Sequence, residues 1–371
     1  MKASRWIVFG MMLTLLLSVS FVFAGQQAAK FPDIAGYKTL KCDLHMHTVF
    51  SDGTVWPTVR VDEAVREGLD LIALSDHIEY QPHKADVPTN HNRPYEIARR
   101  PARDKNILLP LATEITHDTP PGHANAIFLK DVNLLDIPDY VQQVKQANEQ
   151  GGFVFWNHHD WKGEEKGGWF EEHHTIYENG WLHGMEVSNG RTYYPRAHQW
   201  CLEKNMTMLG TSDMHAPSLI KQTTPEEHRT QTLVFAKERT LDSVKEALFA
   251  GRTLAWFRNE LIGTQKNLEL MFAASVKAFV TNQIDDNTQR VVIINHAGVD
   301  IELERAGEAG PKELTLPANA MTTVVIKIDP EIEQKELLYT ATNFVMAPEK
   351  GLPVILEIAV NQPTMELQIV R

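Results

Sequence analysis

From Tyr37 to about Phe257 the chain alternates short apolar runs with amphipathic, capped stretches, and no other feature restricts its fold as much. "KTLKCDLHMH" reads as a strand, "WPTVRVDEAVREGL" as a helix with Pro57 early and Gly68 late, "DLIALSDH" as a strand and "RPYEIARRPARDK" as a helix. The rhythm continues through the strands "NILLPLATEIT" and "HANAIFL", the helix "IPDYVQQVKQANEQ" and the strands "GFVFWNHH" and "GMEVSN". It closes with the helix "YPRAHQWCLEKN", the strands "MTMLGTSDMH" and "QTLVFA" and the helix "LDSVKEALFAG". Alternation of this kind predicts a parallel sheet with crossover helices, and about seven units predict closure into a barrel. In such barrels chemistry sits at the C-terminal ends of the strands.

After about Asn259 the texture changes. A helix, "LELMFAASVKAFV", leads into alternating runs such as "RVVIINHA", "MTTVVIKI", "ELLYTATNFV" and "PVILEIAV", separated by Gly, Pro, Asn and acidic turns. The expected class is α/β, a barrel over 37–257 followed by a smaller antiparallel β domain over 258–371. The length of 371 residues agrees, since single domains usually span about 50–250.

At the N-terminus, Lys2 and Arg5 precede an uncharged apolar stretch, "IVFGMMLTLLLSVSFVFA", and Val22 and Ala24 suit cleavage before Gly25. Residues 1–24 read as a secretory signal and 25–36 as an N-terminal segment, which places the protein in the periplasm or outside the cell, with no stable membrane span after cleavage. The alternative is an uncleaved anchor, because the stretch is near the lower limit of about 17–25 residues for a span. With 36 Lys and Arg against 48 Asp and Glu, the formal charge is -12, and losing the signal removes two bases and no acid. Such a surface repels nucleic acid and leaves carboxylates for cations. Cys42 and Cys201 are too few for a disulfide framework and read as inert, buried thiols.

Of the 16 histidines only His296 follows residue 258, so the chemistry belongs to the barrel. On a strand, Asp43, His45 and His47 project one way and Cys42, Leu44 and Met46 the other. Asp76 and His77 end the second strand, Glu114 the third, His158 the strand "FVFWNHH", and Asp213 and His215 the strand "MLGTSDMH". His123 starts its strand beside the same rim if a tight return follows Glu114. Singly these are weak signals: an HxH pair is more often polar surface, and a lone His77 or His123 a satisfied core residue. His83, His91, His173, His174, His183, His198 and His228 read as surface. Gathered on one rim, imidazoles and carboxylates suit divalent zinc, manganese or iron, and Glu114 is best placed to bridge.

The ordered motifs "HMHTVFSDG", "LSDHI", "ATEIT" with "GHANAIF", "FWNHHDW" and "GTSDMH" resemble the polymerase and histidinol phosphatase (PHP) superfamily over about residues 37–257. The stretches "GYKTLKCDLHMHTVFSDGTVWPTVRVDEA", "NRPYEIAR", "PPGHANAIFL" and "YYPRAHQWCL" resemble a secreted bacterial branch of Sb-PDE-like phosphodiesterases, there including the C-terminal domain. The resemblance implies a distorted (β/α)7 barrel with two or three metal ions. His45, His47, Glu114 and Asp213 would hold the first. Glu114 would bridge to a second, completed by His123 and His158, and Asp52, His77 and His215 would hold a third. Two positions depart from the pattern: many members have histidine in place of Asp52, and proline in place of His159, so that His158 or His159 could be the ligand. Asp43 and Asp76 would stand behind the ligand histidines, accepting their second N–H.

The implied activity is hydrolysis of phosphodiester bonds in small organic phosphate esters by a metal-activated hydroxide, with Glu114, Asp213 and His215 as the catalytic side chains. Rival readings are a phosphomonoesterase of the histidinol-phosphatase kind and a non-catalytic periplasmic metal-binding protein. Arg93 and Lys84 follow the His77 loop and are the candidate phosphate contacts, against a bland reading as solvated charges. Trp156, Trp161 and Trp169 surround "NHHD" and would wall a pocket or pack the barrel edge.

Overall fold

The computed structural model describes residues 29–359 apart from 35, 89, 222, 226, 286–287 and 328–334. The expected signal, 1–24, lies outside the described residues. Among those described, no helix is long and apolar enough to cross a membrane.

In chain order the first part contains β1 (Lys38–Asp43), α1 (Pro57–Glu67), β2 (Leu71–Ile72), α2 (Arg93–Asp104), β3 (Ala112–Thr116), β4 (His123–Ile127), α3 (Tyr140–Glu149) and β5 (Phe153–Trp156). It continues with α4 (Glu171–Glu178), β6 (Gly184–Asn189), β7 (Thr192–Tyr193), α5 (Pro195–Lys204), β8 (Thr207–Thr211), β9 (Gln231–Ala236), α6 (Leu241–Phe249), β10 (Thr253–Phe257) and β11 (Glu260–Ile262). Local chemistry sets the helix ends. Pro57 starts α1 without wasting a donor, and left-handed Gly68 stops it by returning its N–H to Ala64 and Val65. Asp139 and Thr240 cap α3 and α6 by accepting from Gln142 N and Ser243 N.

The strands fall into two mixed sheets where alternation alone predicts a single parallel one. β1–β2 and β5–β6–β8 are parallel, but β4 lies antiparallel between β3 and β5, and β9 runs antiparallel beside both β1 and β10. Only residues 117–122 join β3 to β4, a hairpin-length link, whereas a parallel crossover needs about a dozen residues. Backbone bridges between Leu71 and Leu108, His77 and Glu114, and Met46 and Met214 tie the barrel round. On the remaining side Thr232 Oγ1 donates to Gly210 O and Thr253 Oγ1 to Met208 O, both at 2.7 Å. Leu40, Cys42, Leu44, Phe155, Leu209 and Val234 fill the interior. Cys42 and Cys201 are buried free thiols.

The second part contains α7 (Gln265–Ser275), β12 (Val276–Asp285), β13 (Thr288–Asn295), β14 (Ile301–Arg305), β15 (Glu313–Leu316), β16 (Ala320–Lys327), β17 (Lys335–Ala347) and β18 (Lys350–Ala359). The helix expected through "SVKAFV" ends at Ser275, because Val276, Phe279 and Val280 pair with β13 and find their packing there. Pairing is mostly antiparallel, with β12 and β18 parallel. β11 pairs in parallel with β17, Leu261 opposite Phe344 and Ile262 opposite Val345, so one sheet runs from the barrel into the β domain. Their cores merge: Phe235, Leu254 and Trp256 share a cluster with Met271, Ile293, Leu303 and Phe344.

Candidate metal centre

β1 ends at Asp43, but the chain stays extended: His47 N donates to Met214 O at 3.0 Å, and Asp213 N to His45 O at 2.9 Å. The two-residue period therefore persists past the strand. Leu44 and Met46 are fully buried in the core, while His45 and His47 turn the other way and meet Asp213. The "SDG" turn folds back so tightly that a Cβ on Gly53 would lie 2.6 Å from the His47 carbonyl carbon. Only glycine allows that approach, which brings Asp52 to the cluster. His77 reaches the same rim through its bridge to Glu114, and His123 opens β4 opposite Thr116, as the tight return requires.

Glu114 lies at the centre, completely buried. Its Oε1 is 3.0 Å from His123 Nδ1 and 3.5 Å from both His45 Nε2 and His158 Nε2, and it accepts from Asn157 Nδ2 at 2.7 Å. Its Oε2 faces the other side, 2.7 Å from His77 Nδ1 and 3.6 Å from His47 Nε2. Asp213 Oδ1 is 2.9 Å from His47 Nε2 and 3.2 Å from His45 Nε2. Asp52 Oδ1 lies 3.2 Å from His215 Nε2 and 3.4 Å from His77 Nε2. The donors fall into overlapping groups, His45–His47–Glu114, His45–His158–Asp213, His77–Glu114–His123 and His47–Asp52–His77–His215, each within 4.8 Å. All nine expected ligands are thus brought together, with His158 grouped with His45 and Asp213 while its ring also stands 5.0 Å from that of His123.

The electrostatics call for cations. Burial alone would raise Glu114, but the charges of His77, His45 and His123 override it and hold the carboxyl well below its usual range. Burial, then the charge on His77, pushes His47 down to about 3, whereas His77 rises to about 10 because Glu114 and Asp52 together outweigh its burial. Neighbouring imidazoles driven in opposite directions cannot all be protonated. The tautomers point the same way. His45 Nδ1 is hydrogen-bonded to Glu186 Oε1 at 2.7 Å and His215 Nδ1 to Asp213 O at 2.8 Å. Against their burial, Asp213 and Glu114 raise His45 and Asp52 raises His215, so without a cation each Nε2 holds a proton, His45 facing His47 Nε2 at 3.1 Å and His215 facing Asp52 at 3.2 Å. A divalent ion bound there would take the place of those protons and accept both nitrogens as donors. Two zinc ligands at about 2.0 Å and tetrahedral angles stand about 3.3 Å apart, so the residues present fit divalent ions.

Other expectations need correction. Asp43 touches no imidazole: it accepts from Ser212 N, Ser212 Oγ and Arg229 Nη1, fixing the segment that carries Asp213. Asp76 accepts from Thr48 N, Thr48 Oγ1 and Ser51 Oγ, each at 2.7 Å, and so shapes the turn rather than an imidazole. The carboxylate behind His45 is Glu186 on β6, whose sequence signal was a single acid in an inward-facing apolar strand. Arg93 is exposed and pairs with Glu96 at the start of α2, and Lys84 is exposed on its loop; neither lines the cavity over the cluster. His158 joins the cluster, while His159 packs against Trp156, Tyr194 and Trp200 with neither ring nitrogen bonded, and burial holds it at about 4. Trp156 and Trp169 pack against Trp200 at the barrel edge, and only Trp161 walls the cavity.

That cavity, about 680 Å³, is floored by the cluster and bordered by Glu79, Tyr80, Asp118, Trp161, Lys162 and Tyr194. A mixed barrel with a buried, multi-donor metal centre at its strand ends defines a metal-dependent hydrolase architecture. A crystal structure of a two-domain protein containing a predicted PHP-like metal-dependent phosphoesterase, from Bacteroides vulgatus ATCC 8482, matches with a TM-score of 0.84 and 43% identity, covering 89% of this chain and 98% of that one. The chain belongs to this family of two-domain PHP-like metal-dependent phosphoesterases. The family model of an Ig-like domain matches residues 276–357. Comparison with curated proteins returns no match. Two looser likenesses bear on nothing further. One is a candidate metal-dependent phosphoesterase from Bifidobacterium adolescentis ATCC 15703 (TM-score 0.41, 18% identity, 57% of this chain and 96% of that one). The other is Endonuclease Q bound to a 27-mer duplex with an abasic lesion (0.43, 13%, 61% and 60%).

Proposed function

We propose that the chain is an exported phosphodiesterase of the Sb-PDE-like branch, hydrolysing small organic phosphate esters with two or three zinc, manganese or iron ions. The supporting observation is the charge of the cavity. Among the described residues lining it, Lys162 is the one Lys or Arg, and its Nζ is already paired with Asp118. A monoester dianion gains more from Arg and Lys contacts than a diester, which carries a single charge and two organic arms. Glu79 and Asp118 at the rim also disfavour a polyanionic nucleic acid. Export rests on the sequence of residues 1–24.

Bound divalent ions would lower the pKa of water from about 15.7 to about 7 and neutralise charge on the phosphoryl oxygens. The chain's own residues do the rest. Glu114 presents one carboxylate oxygen to each side of the cluster, Asp213 and His215 hold the wall beside it, and Glu186 fixes the His45 tautomer. Lys162, not Arg93 or Lys84, is the cationic side chain on the cavity wall, and Asp118 holds it there. The test is side-by-side assay of the metal-loaded protein on matched chromogenic phosphate mono-, di- and triesters. Diesters should turn over fastest, and Glu114→Ala should abolish metal retention and turnover together. Faster monoester turnover would favour the histidinol-phosphatase reading, and tight metal without any turnover a metal-binding protein.

A further inference from the structure

Tyr80 and Trp161 are unusually open for aromatic residues, at 53% and 51% exposure, and both line the one cavity that holds the metal centre. Single exposed aromatics need no explanation, but two flanking a site do. Each follows a cluster residue closely in the chain. The Tyr80 ring stands edge-on to His77 at 5.9 Å, and the Trp161 indole lies 5.6 Å from His123 and 5.9 Å from His158. The chain beside each is anchored. Glu79, beside Tyr80, accepts from Thr116 N at 2.7 Å and from Gln143 Nε2 at 2.5 Å. Trp161 N donates to His158 O at 3.1 Å, and the next turn closes on Gly167, where a Cβ would lie 2.6 Å from Asp160 Cβ. Lys162, paired with Asp118, lies over the indole at 4.7 Å from its centre and fixes the ring while leaving half its surface open.

Resting on the phosphodiesterase reading above, we propose that Trp161 and Tyr80 form an aromatic clamp selecting esters with an aromatic arm, whose ring stacks on the indole while its phosphoryl group sits over the cluster. A pre-fixed aromatic wall such as Trp161 loses little freedom on binding and favours a planar partner.

The test uses the full, metal-loaded chain and two singly charged, non-hydrolysable probes, methyl(phenyl)phosphinate and dimethylphosphinate, titrated by calorimetry. Wild type should bind the phenyl probe about tenfold more tightly, and Trp161→Ala with Tyr80→Ala should erase that preference while leaving dimethylphosphinate affinity within twofold. Where the alanine variant loses its metal or its fold, Trp161→Leu keeps the apolar bulk without the ring face and should show the same loss. Equal affinities in wild type, binding of neither probe, or a preference that survives both substitutions overturns the clamp. In parallel, phenyl and methyl diesters of 4-nitrophenol are compared, the clamp requiring a lower KM for the phenyl ester. Phenyl-selective binding without diester turnover would sink the diesterase reading and leave the clamp; turnover without selectivity would do the reverse.

Discussion

His45 Nδ1 lies 2.7 Å from Glu186 Oε1, and neither side chain is exposed at all. The same carboxylate accepts from Thr211 Oγ1, from Asn189 Nδ2 and from the backbone N–H of His158. One acid therefore aims one ligand ring and anchors the main chain of another. Glu186→Gln should lower metal affinity by about 10–100-fold, as loss of a carboxylate behind a ligand histidine commonly does. Competition with a chromogenic chelator measures it, and an unchanged affinity would remove Glu186 from the site.

Arg60 is buried and spans three carbonyls: Nε donates to His47 O at 3.0 Å, Nη1 to Ala216 O at 2.9 Å and Nη2 to Met214 O at 2.7 Å, with Nη1 also on Glu63. Arg60→Met should cost about 3–5 kcal/mol, because it strands those acceptors and the Glu63 charge. Urea unfolding reads the loss. Arg60→Lys should recover only part of it, since an ammonium cannot reach three separated carbonyls.

Ions that bind only the folded chain stabilise it by mass action, about 2.7 kcal/mol when free metal is 100-fold above its Kd. EDTA should therefore lower the melting temperature of the wild type. The same treatment should leave Glu114→Ala unmoved, and scanning calorimetry of the two proteins with and without chelator decides the matter.

His173 and His198, read as surface residues from the sequence, are fully buried, and burial holds both at about 4 against an ordinary 6.5. Between those values the unfolded chain takes up protons that the folded rings refuse. Their contribution is complete above about pH 6.5 and is lost as pH falls toward 4. For one ring the loss between pH 7 and pH 5 is about 2 kcal/mol. His198→Gln should flatten that acid limb relative to wild type in denaturation curves at the two pH values; parallel limbs would refute it.

Much of the site was legible because ligands two apart on extended chain share a face, so His45 and His47 announce themselves; Asp213 and His215 converge differently, through a left-handed backbone at Asp213 (φ +50°) beyond the end of β8. The barrel was legible from its alternation, though the antiparallel β4 and β9 were not, since a local pattern does not carry pairing direction. Glu186 escaped notice because an isolated acid in a strand has no local partner. Arg93 and Lys84 failed for a related reason: being near a ligand in sequence does not fix where a long side chain on a loop or helix start will point. His173 shows the limit of residue-type reasoning, for it stacks on Trp156 at 3.6 Å and bonds Pro121 O at 2.8 Å, partners brought from elsewhere in the chain.

The strand pairing between β11 and β17 has a mechanical side. Main-chain bonds at Leu261–Phe344 and Ile262–Val345, with Gly263 N on Val345 O, weld the Ig-like domain to the barrel as a buttress, which leaves it no hinge on which to swing as a gate. The two halves should melt as one cooperative unit. Cutting the chain after the barrel would leave β11 as a raw sheet edge, a template for aggregation that the intact protein keeps covered.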